Sequence, residues 1–394
     1  MEDSHCYTNT KKRDRNNPGN YKSISLLNNG YKIYSKIIAK RLTVIAEALL
    51  LEEQNGFRKG RSCMDCIFSV SQIIEKHREF NIPTYMAFID FKKAFDTVDR
   101  DKLWTIMSSK GIPTHLITII KKIHMENIIR VNAGNVISED FIFITQVVRQ
   151  GCPLSHVLFN LYLDETIWIW LQKLKTSKYF KELIFNTLLF ADDQFIISDT
   201  EDNLQMAVYI LYSISKEYNL EIATKKMKVF GFVGAKIIIN GETLEQVSQF
   251  TYLGCSISYQ FSNDVESKLA KFLQLIGTIK RTIFGKVRAE TILKIYNTLV
   301  LPKFLYGSET ALQRRRTEAA EMKLLRPLTG YTFYNHKTND YIRRELQITG
   351  ILDKTNKYRR NWFQHLQRMS QLLKSHFTLQ QLKLFCRLTY TFML

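Results

Sequence analysis

Three carboxylates stand out by the setting they share. Asp192 and Asp193 are adjacent and sit between two apolar runs, Leu183 to Phe190 and Phe195 to Ser198. Both runs carry residues that suit buried strands, so the stretch reads as a hairpin with the acidic pair at its tip. Two neighbouring carboxylates repel, and burying them unpaired is costly. A divalent cation relieves both penalties, and a hard cation such as Mg²⁺ takes oxygen ligands. Alone, an Asp pair in a polar turn is an ordinary feature. Asp90 changes the balance, because it ends another apolar run, Tyr85 to Ile89, in a matching way. A strand ending in Asp, set beside a hairpin tipped with Asp-Asp, would place carboxylates around metal ions.

Several elements have to position these acids. Tyr34, Ile38, Leu42, Ile45 and Leu49 recur at helical spacing. A basic loop punctuated by glycine follows, from Gln54 to Ser62, with Ser62 and Asp65 placed to cap the next helix. Cys63, Ile67, Val70 and Ile74 fall on one face of that helix, so Cys63 and Cys66 read as helix packing. No second cysteine pair follows at zinc-site spacing, and no structural zinc is expected. Asp96 and Asp99 suit the start of a helix near Asp101. Residues 113–127 read as a helix, and Ile128 to Ala133 with Phe141 to Val148 as a strand pair joined through Gly134-Asn135. Ser155 reads as the N-cap of a further helix. Another spans about Asp202 to Tyr218, and Lys236 to Val247 reads as a hairpin turning at Asn240-Gly241. From Val265 the character becomes helical, with Leu269, Phe272, Ile276, Ile279 and Ile283 alternating four and three. A last helix is expected over Thr291 to Leu301, before Pro302.

Composition limits the function classes. The chain has 394 residues, enough for two or three domains, and 45% hydrophobic residues argue against wholesale disorder. Lys and Arg number 56 against 37 acidic residues, a net charge of +19 that suits a polyanionic partner such as nucleic acid. Six cysteines are too few for a disulfide scaffold. No apolar run reaches the length of a membrane span, and the polar start Met1 to Cys6 lacks the apolar core of a signal peptide. An intracellular protein, nuclear or cytoplasmic and not secreted, is the expectation.

The order Lys11 to Asn28, Gln54 to Ser62, Asp90, Arg149-Gln150-Gly151, Asp192-Asp193, Asn219 to Lys228 and Phe250 to Cys255 resembles reverse transcriptases of non-LTR (LINE-like) retrotransposons, here truncated. The resemblance covers roughly residues 11–370. It implies an α+β right-hand polymerase fold: fingers over 1–84 (1–10 unplaced), a palm with an antiparallel sheet over 85–260, and a helical thumb over 261–370. Residues 371–394 match nothing. The implied reaction is RNA-directed DNA synthesis, adding deoxynucleotides to a primer 3′-hydroxyl by two-metal catalysis. Asp90, Asp192, Asp193 and the Phe91 carbonyl would hold two Mg²⁺ ions, with Mn²⁺ as a substitute. Lys226 is the implied proton donor to pyrophosphate. Lys12, Lys22, Arg58 and Arg61 would bind phosphate, and Phe95, Gln150 and Gly151 would shape the nucleotide pocket, Phe95 against a 2′-hydroxyl. Phe250, Tyr252, Leu253 and Gly254 match the hairpin that grips the primer.

The partners implied are an RNA template, a DNA primer and deoxynucleotides, with no membrane. Endonuclease activity would come from another chain. The sequence departs from the family pattern at Lys22-Ser23, where Arg-Pro is usual, at His156, where Pro is usual, and at Asn219, Ala223 and Met227. Those departures keep an alternative open: a degenerate, catalytically inactive element fragment that only binds nucleic acid. An RNA-dependent RNA polymerase, expected to carry a smaller or polar residue at the Phe95 position, ranks below both.

Overall fold

The apolar run before Asp90 folds as the central strand of a five-stranded sheet. The computed structural model describes residues 4–10, 21–124, 128–133, 136–137, 142–143, 151–176, 186–231, 235–258, 262–307 and 314–368. Two compact units emerge: Met1–Cys66 with Lys76–Val247, and Ile67–Glu75 with Ser248–Leu394.

The first unit begins with β1 (Ser4–Thr10), β2 (Tyr21–Leu26), α1 (Asn29–Leu49) and α2 (Cys63–Glu79), the middle of which belongs to the second unit. Then come β3 (Tyr85–Ile89), α3 (Arg100–Ser109), α4 (Thr114–His124), β4 (Ile128–Ala133), β5 (Val136–Ile137) and β6 (Ile142–Phe143). They are followed by α5 (Ser155–Thr176), β7 (Asn186–Phe190), β8 (Asp193–Ser198) and α6 (Glu201–Glu217). The unit ends with β9 (Lys228–Phe230), β10 (Ile238–Ile239), β11 (Glu242–Thr243) and β12 (Glu245–Gln246).

The site-bearing sheet has the order β12-β9-β3-β8-β7, with β3, β8, β7 and β9 pairing antiparallel. Ala87 pairs with Ile196 on one side and Val229 on the other. These residues and Ile89 and Leu189 join one core cluster with α1, α5 and α6. Phe88 meets Phe195 ring to ring at 5.2 Å. Both faces are therefore apolar, which explains continuous apolar runs where a half-exposed strand would alternate. Helix α6, capped by Thr200, lays Leu204, Ala207, Val208, Leu211 and Ile214 on the sheet. Helix α5 is buried almost all round, and its Trp170 Nε1 donates to the Ala207 carbonyl at 2.9 Å.

Local signals acted as expected in several places. Ser62 N donates to Asp65 Oδ2 at 2.8 Å, one half of a capping box. Asp99 caps α3 by accepting from Lys102 N. Asn240 and Gly241 both have positive φ, 50° and 78°, as a type I′ hairpin turn requires. Strand β4 pairs antiparallel with β6, inside the expected partner. The strand that directly follows residues 134 and 135 is β5, however, a pairing partner the sequence reading did not include. Residues 141 and 144–148 lie outside the described residues. Helix α1 differs from its expected face: Ser35, Ile38, Ala39, Leu42 and Ala46 are buried, whereas Tyr34 is exposed. Small residues let helices approach closely, and hydropathy spacing ranks them below a tyrosine.

The second unit contains the hairpin β13 (Gln249–Tyr252) and β14 (Cys255–Ser258), then α7 (Ser262–Thr282) and α8 (Ala289–Ile295). Helix α9 (Leu301–Leu305) precedes α10 (Arg314–Leu328), α11 (Asn339–Glu345) and α12 (Ile351–Arg368). Leu269, Phe272, Ile276 and Ile279 of the expected seam are buried together with Tyr296, Phe304 and Leu324. The expected helix end at Leu301 is overrun. A π-helical turn over Tyr296–Val300 joins α8 to α9, so the chain continues helically past Pro302. Glu321 is buried at the centre, accepting from Tyr296 Oη at 2.9 Å and Ile351 N at 3.0 Å and pairing with Arg343 at 3.0 Å.

Candidate active site

Strand register brings the acids together. Strands β3 and β8 pair Ile89 with Gln194, so the next residues along, Asp90 and Asp193, fall side by side. Strands β7 and β8 pair Phe190 with Asp193, so the hairpin turn consists of Ala191 and Asp192. The tip is thus one residue earlier than the sequence suggests, with Asp193 opening β8. Ala191 has φ +57°, the left-handed conformation a tight turn needs and a residue with a Cβ resists.

Beyond Asp90 the chain is clipped to the segment after α6. Ala223 N donates to the Asp90 carbonyl and Lys92 N to the Glu221 carbonyl, each at 2.7 Å. These two bonds flank the Phe91–Ile222 bridge, and neither uses the Phe91 carbonyl. The same segment carries Lys226 back to the site, where its ammonium forms an ion pair with Asp90 Oδ2. The Lys226 side chain is 66% exposed and that of Asp90 27%.

The electrostatics suit a cation. Asp193 opens β8 as an exposed residue. Partial desolvation of its carboxyl by the surrounding chain, then the charges of Asp192 and Asp90, push it up from its ordinary 3.8 to about 6, while Lys226 acts in the opposite direction. All the donors are hard oxygens. The lysine ammonium on Asp90 is a cation already answering that charge. These features fit a divalent metal. The geometry is not yet that of a closed metal cage: among the described residues, no three His, Cys, Asp or Glu side chains converge to hold an ion.

Phe95, five residues after Asp90, belongs to an aromatic group. Phe95 stacks on Phe159 at 4.2 Å and meets the edge of Phe57 at 6.4 Å. Phe57, 50% exposed and with φ +58°, also lies 5.4 Å from the His156 ring. Burial lowers the His156 pKa, which favours the neutral ring. Gly151 is exposed, with φ +109°.

Arg58 and Arg61 are engaged inside the protein. Buried Arg58 pairs with Glu47 at 2.8 Å and donates to the Leu51 and Gln54 carbonyls. Arg61 pairs with Glu52 at 2.5 Å. Lys22 lies on β2, and Lys12, Gln150 and residues 371–394 fall outside the described residues. In the second unit, Phe250 and Tyr252 lie on β13, and Leu253 and Gly254 make the hairpin turn. Tyr306 Oη donates to the Leu253 carbonyl at 2.6 Å and holds that turn.

Gln54, Gly56 and Asn160 also bear on the site, and their types and spacing do not single them out. Asn160 had one usable signal, a polar residue inside the apolar run Val157 to Leu163. It is buried and donates from Nδ2 to the Gly56 carbonyl at 2.8 Å.

Comparison with known proteins places this geometry in context. The profile of the reverse transcriptase (RNA-dependent DNA polymerase) family matches residues 10–257. The chain is 23% identical over 385 residues to "Probable RNA-directed DNA polymerase from transposon X-element" of Drosophila melanogaster, covering 91% of this chain and 40% of that protein. It is 23% identical over 307 residues to "Retrovirus-related Pol polyprotein from type-1 retrotransposable element R2" of Nasonia vitripennis, covering 73% of this chain and 29% of that protein. The chain therefore spans less than half the length of these curated relatives. Among solved structures, telomerase from Candida albicans in complex with a TWJ fragment of telomeric RNA superposes with a TM-score of 0.51 at 8% identity, over 87% of this chain and 66% of that one. That likeness concerns the fold alone, and it is the α+β right-hand polymerase fold. Among the described residues, no helix is long and apolar enough to cross a membrane.

Proposed function

Because the chain belongs to the reverse transcriptase (RNA-dependent DNA polymerase) family, we propose that Asp90, Asp192 and Asp193 carry out RNA-templated addition of deoxynucleotides to a primer 3′-hydroxyl. The observation that carries this reading is the register that sets Asp90 beside Asp193. Asp90, the Phe91 carbonyl, Asp192 and Asp193 would hold two Mg²⁺ ions, or Mn²⁺ in their place. When bound, such ions activate the 3′-hydroxyl and neutralise the triphosphate and leaving pyrophosphate.

The chain's own groups do the remaining work. Asp90 and Asp193 are held at adjacent strand ends by backbone pairing, so what remains for cation binding is side-chain movement and release of Lys226 from Asp90. Lys226 carries an ammonium at the edge of the site and can hand a proton to the leaving pyrophosphate. Phe95, braced by Phe159, presents a fixed ring to the sugar and selects against a 2′-hydroxyl. Lys12 and Lys22 meet the triphosphate as point charges. Arg58 and Arg61 serve the nucleotide by bracing the loop that carries them. Gln150 and Gly151 would serve the base and sugar of the nucleotide. Phe250, Tyr252, Leu253 and Gly254 grip the primer end. In this reading residues 1–84 act as fingers, 85–260 as palm and 261–370 as thumb, and the net charge of +19 serves the RNA template and DNA primer.

The test is primer extension by the purified chain on an RNA template with Mg²⁺, with Asp192→Ala abolishing product. Equal synthesis by both proteins overturns the assignment. A second reading, a remnant that binds nucleic acid without turnover, draws on the Lys226 ion pair at Asp90. It predicts a salt-dependent shift of RNA and no product from either protein.

A further inference from the structure

The turn that carries Asp192 is held from outside its own hairpin, and we propose that Gln54 is the residue that positions it. The proposal rests on the polymerase reading of the site. Gln54 is 2% exposed, and its amide engages both backbone groups of Ala191. Oε1 accepts from Ala191 N at 3.1 Å, and Nε2 donates to the Ala191 carbonyl at 3.3 Å. A side chain thus stands in for a strand partner at the one residue of the turn with a left-handed backbone. Alanine does not favour that conformation, so something outside the turn has to hold it.

The surroundings leave the turn little freedom. Gln54 Oε1 also accepts from Gly56 N at 2.7 Å, and Asn160 fixes the Gly56 carbonyl at 2.8 Å. Gly56 lies against the turn so closely that a Cβ there would fall 2.1 Å from Ala191 N. Asn55 N donates to the Leu189 carbonyl at 2.8 Å, and Leu189 N to the Glu53 carbonyl at 2.9 Å, so the free edge of β7 is paired as well. Gln54 is itself held: Arg58 Nη1 donates to its carbonyl at 3.1 Å while pairing with Glu47 of α1. A continuous chain of contacts runs from Glu47 through Arg58 and Gln54 to Ala191, the neighbour of Asp192. The Gln54 amide bonds to Ala191 and Gly56, so its role is to fix where Asp192 and Asp193 stand for the cation. Partners of this outer kind commonly change metal affinity or activity about 10- to 100-fold.

The test uses Gln54→Met in the full chain, which keeps length and volume and removes all three amide bonds. Hydrogen–deuterium exchange of the segment 188–193 is expected to accelerate while the remainder of the first unit keeps its protection. The dissociation constant for Mn²⁺, followed by loss of the free-ion resonance signal, is expected to rise about tenfold. Primer extension should lose kcat at unchanged KM for deoxynucleotide and regain part of it at high Mg²⁺. Should Gln54→Met not fold, Gln54→Glu takes its place. As a carboxylate it loses the donor to Ala191 and adds negative charge beside the turn, so its readout is exchange of the segment 188–193 at pH 8, which is expected to accelerate. Unchanged exchange at the turn with unchanged Mn²⁺ affinity overturns the proposal, as does a uniform loss of protection across the unit. A wild type that makes no product, yet shows turn protection and Mn²⁺ binding that depend on Gln54, overturns the polymerase reading and upholds the clamp.

Discussion

Replacing Lys226 by methionine separates two roles that meet at one ammonium. In the structure that ammonium is paired with Asp90, so it competes with any cation that Asp90 would bind. The lysine side chain is 66% exposed. An exposed pair of this kind contributes about 0.2–1 kcal/mol, which corresponds to about a fivefold change in binding at most. Lys226→Met should therefore lower the Mg²⁺ concentration for half-maximal rate by up to about fivefold. Loss of a general acid acts on the rate itself, by about 10²–10⁴-fold. The two effects have opposite signs and very different sizes. Single-turnover primer extension, titrated with Mg²⁺ at saturating deoxynucleotide, resolves them. Lys226→Arg sharpens the test, since arginine keeps the charge but does not give up its proton. Its Mg²⁺ requirement should stay near that of the wild type, while its rate falls with that of Lys226→Met. A methionine variant that needs more Mg²⁺, or an arginine variant of full rate, would refute the reasoning.

Further outcomes follow from the same geometry. The Asp193 carboxyl, raised from 3.8 to about 6, holds its proton in the folded chain at pH values where the unfolded chain has lost it. The metal-free protein should thus lose stability as pH rises through that interval, read by urea unfolding at pH 4.5 and 6.5, and Mg²⁺ affinity should weaken as pH falls below about 6. Because Lys226 holds this carboxyl down, Lys226→Met should move the acid limb of the rate profile to higher pH. Phe95→Ala should raise ribonucleotide use relative to deoxynucleotide, by about 10- to 200-fold if the ring discriminates as one well-placed steric feature does. Competitive incorporation assays measure it. Glu321→Leu takes the acceptor from Tyr296 Oη and Ile351 N in the core of the second unit, while Arg343 keeps Glu318 and Asp340. It should cost about 1–3 kcal/mol for each stranded donor in denaturant unfolding of that unit.

Much of the site was legible because its residues end apolar runs. A strand buried on both faces is a continuous apolar stretch, and a polar residue at its end has to be doing something or facing water. That logic found Asp90 and the Asp192-Asp193 pair, and it extends to helix seams such as Leu269 to Ile279. It fails for contacts between residues far apart in the chain. Gln54 and Ala191 are 137 positions apart, and nothing near Gln54 indicates that its amide closes a turn so distant. Arg58 is the converse case. Set in a basic loop it resembles a phosphate ligand, yet Glu47, eleven residues earlier on α1, draws it inside. Charge next to glycine describes a loop that can approach an anion, not where each guanidinium turns. The one-residue shift at the hairpin tip has a similar origin: two adjacent acids suggest a symmetric tip, whereas the register of β8 is set by which side chains enter the core.

The proposal that Asp90, Asp192 and Asp193 together hold divalent ions is tested most directly by anomalous scattering from crystals of the protein soaked in Mn²⁺. The expected result is anomalous density within about 2.0–2.6 Å of carboxylate oxygens of all three residues, with the Lys226 ammonium moved away from Asp90. Density absent from these carboxylates at saturating Mn²⁺, with Lys226 still paired to Asp90, would contradict a metal-dependent polymerase site here.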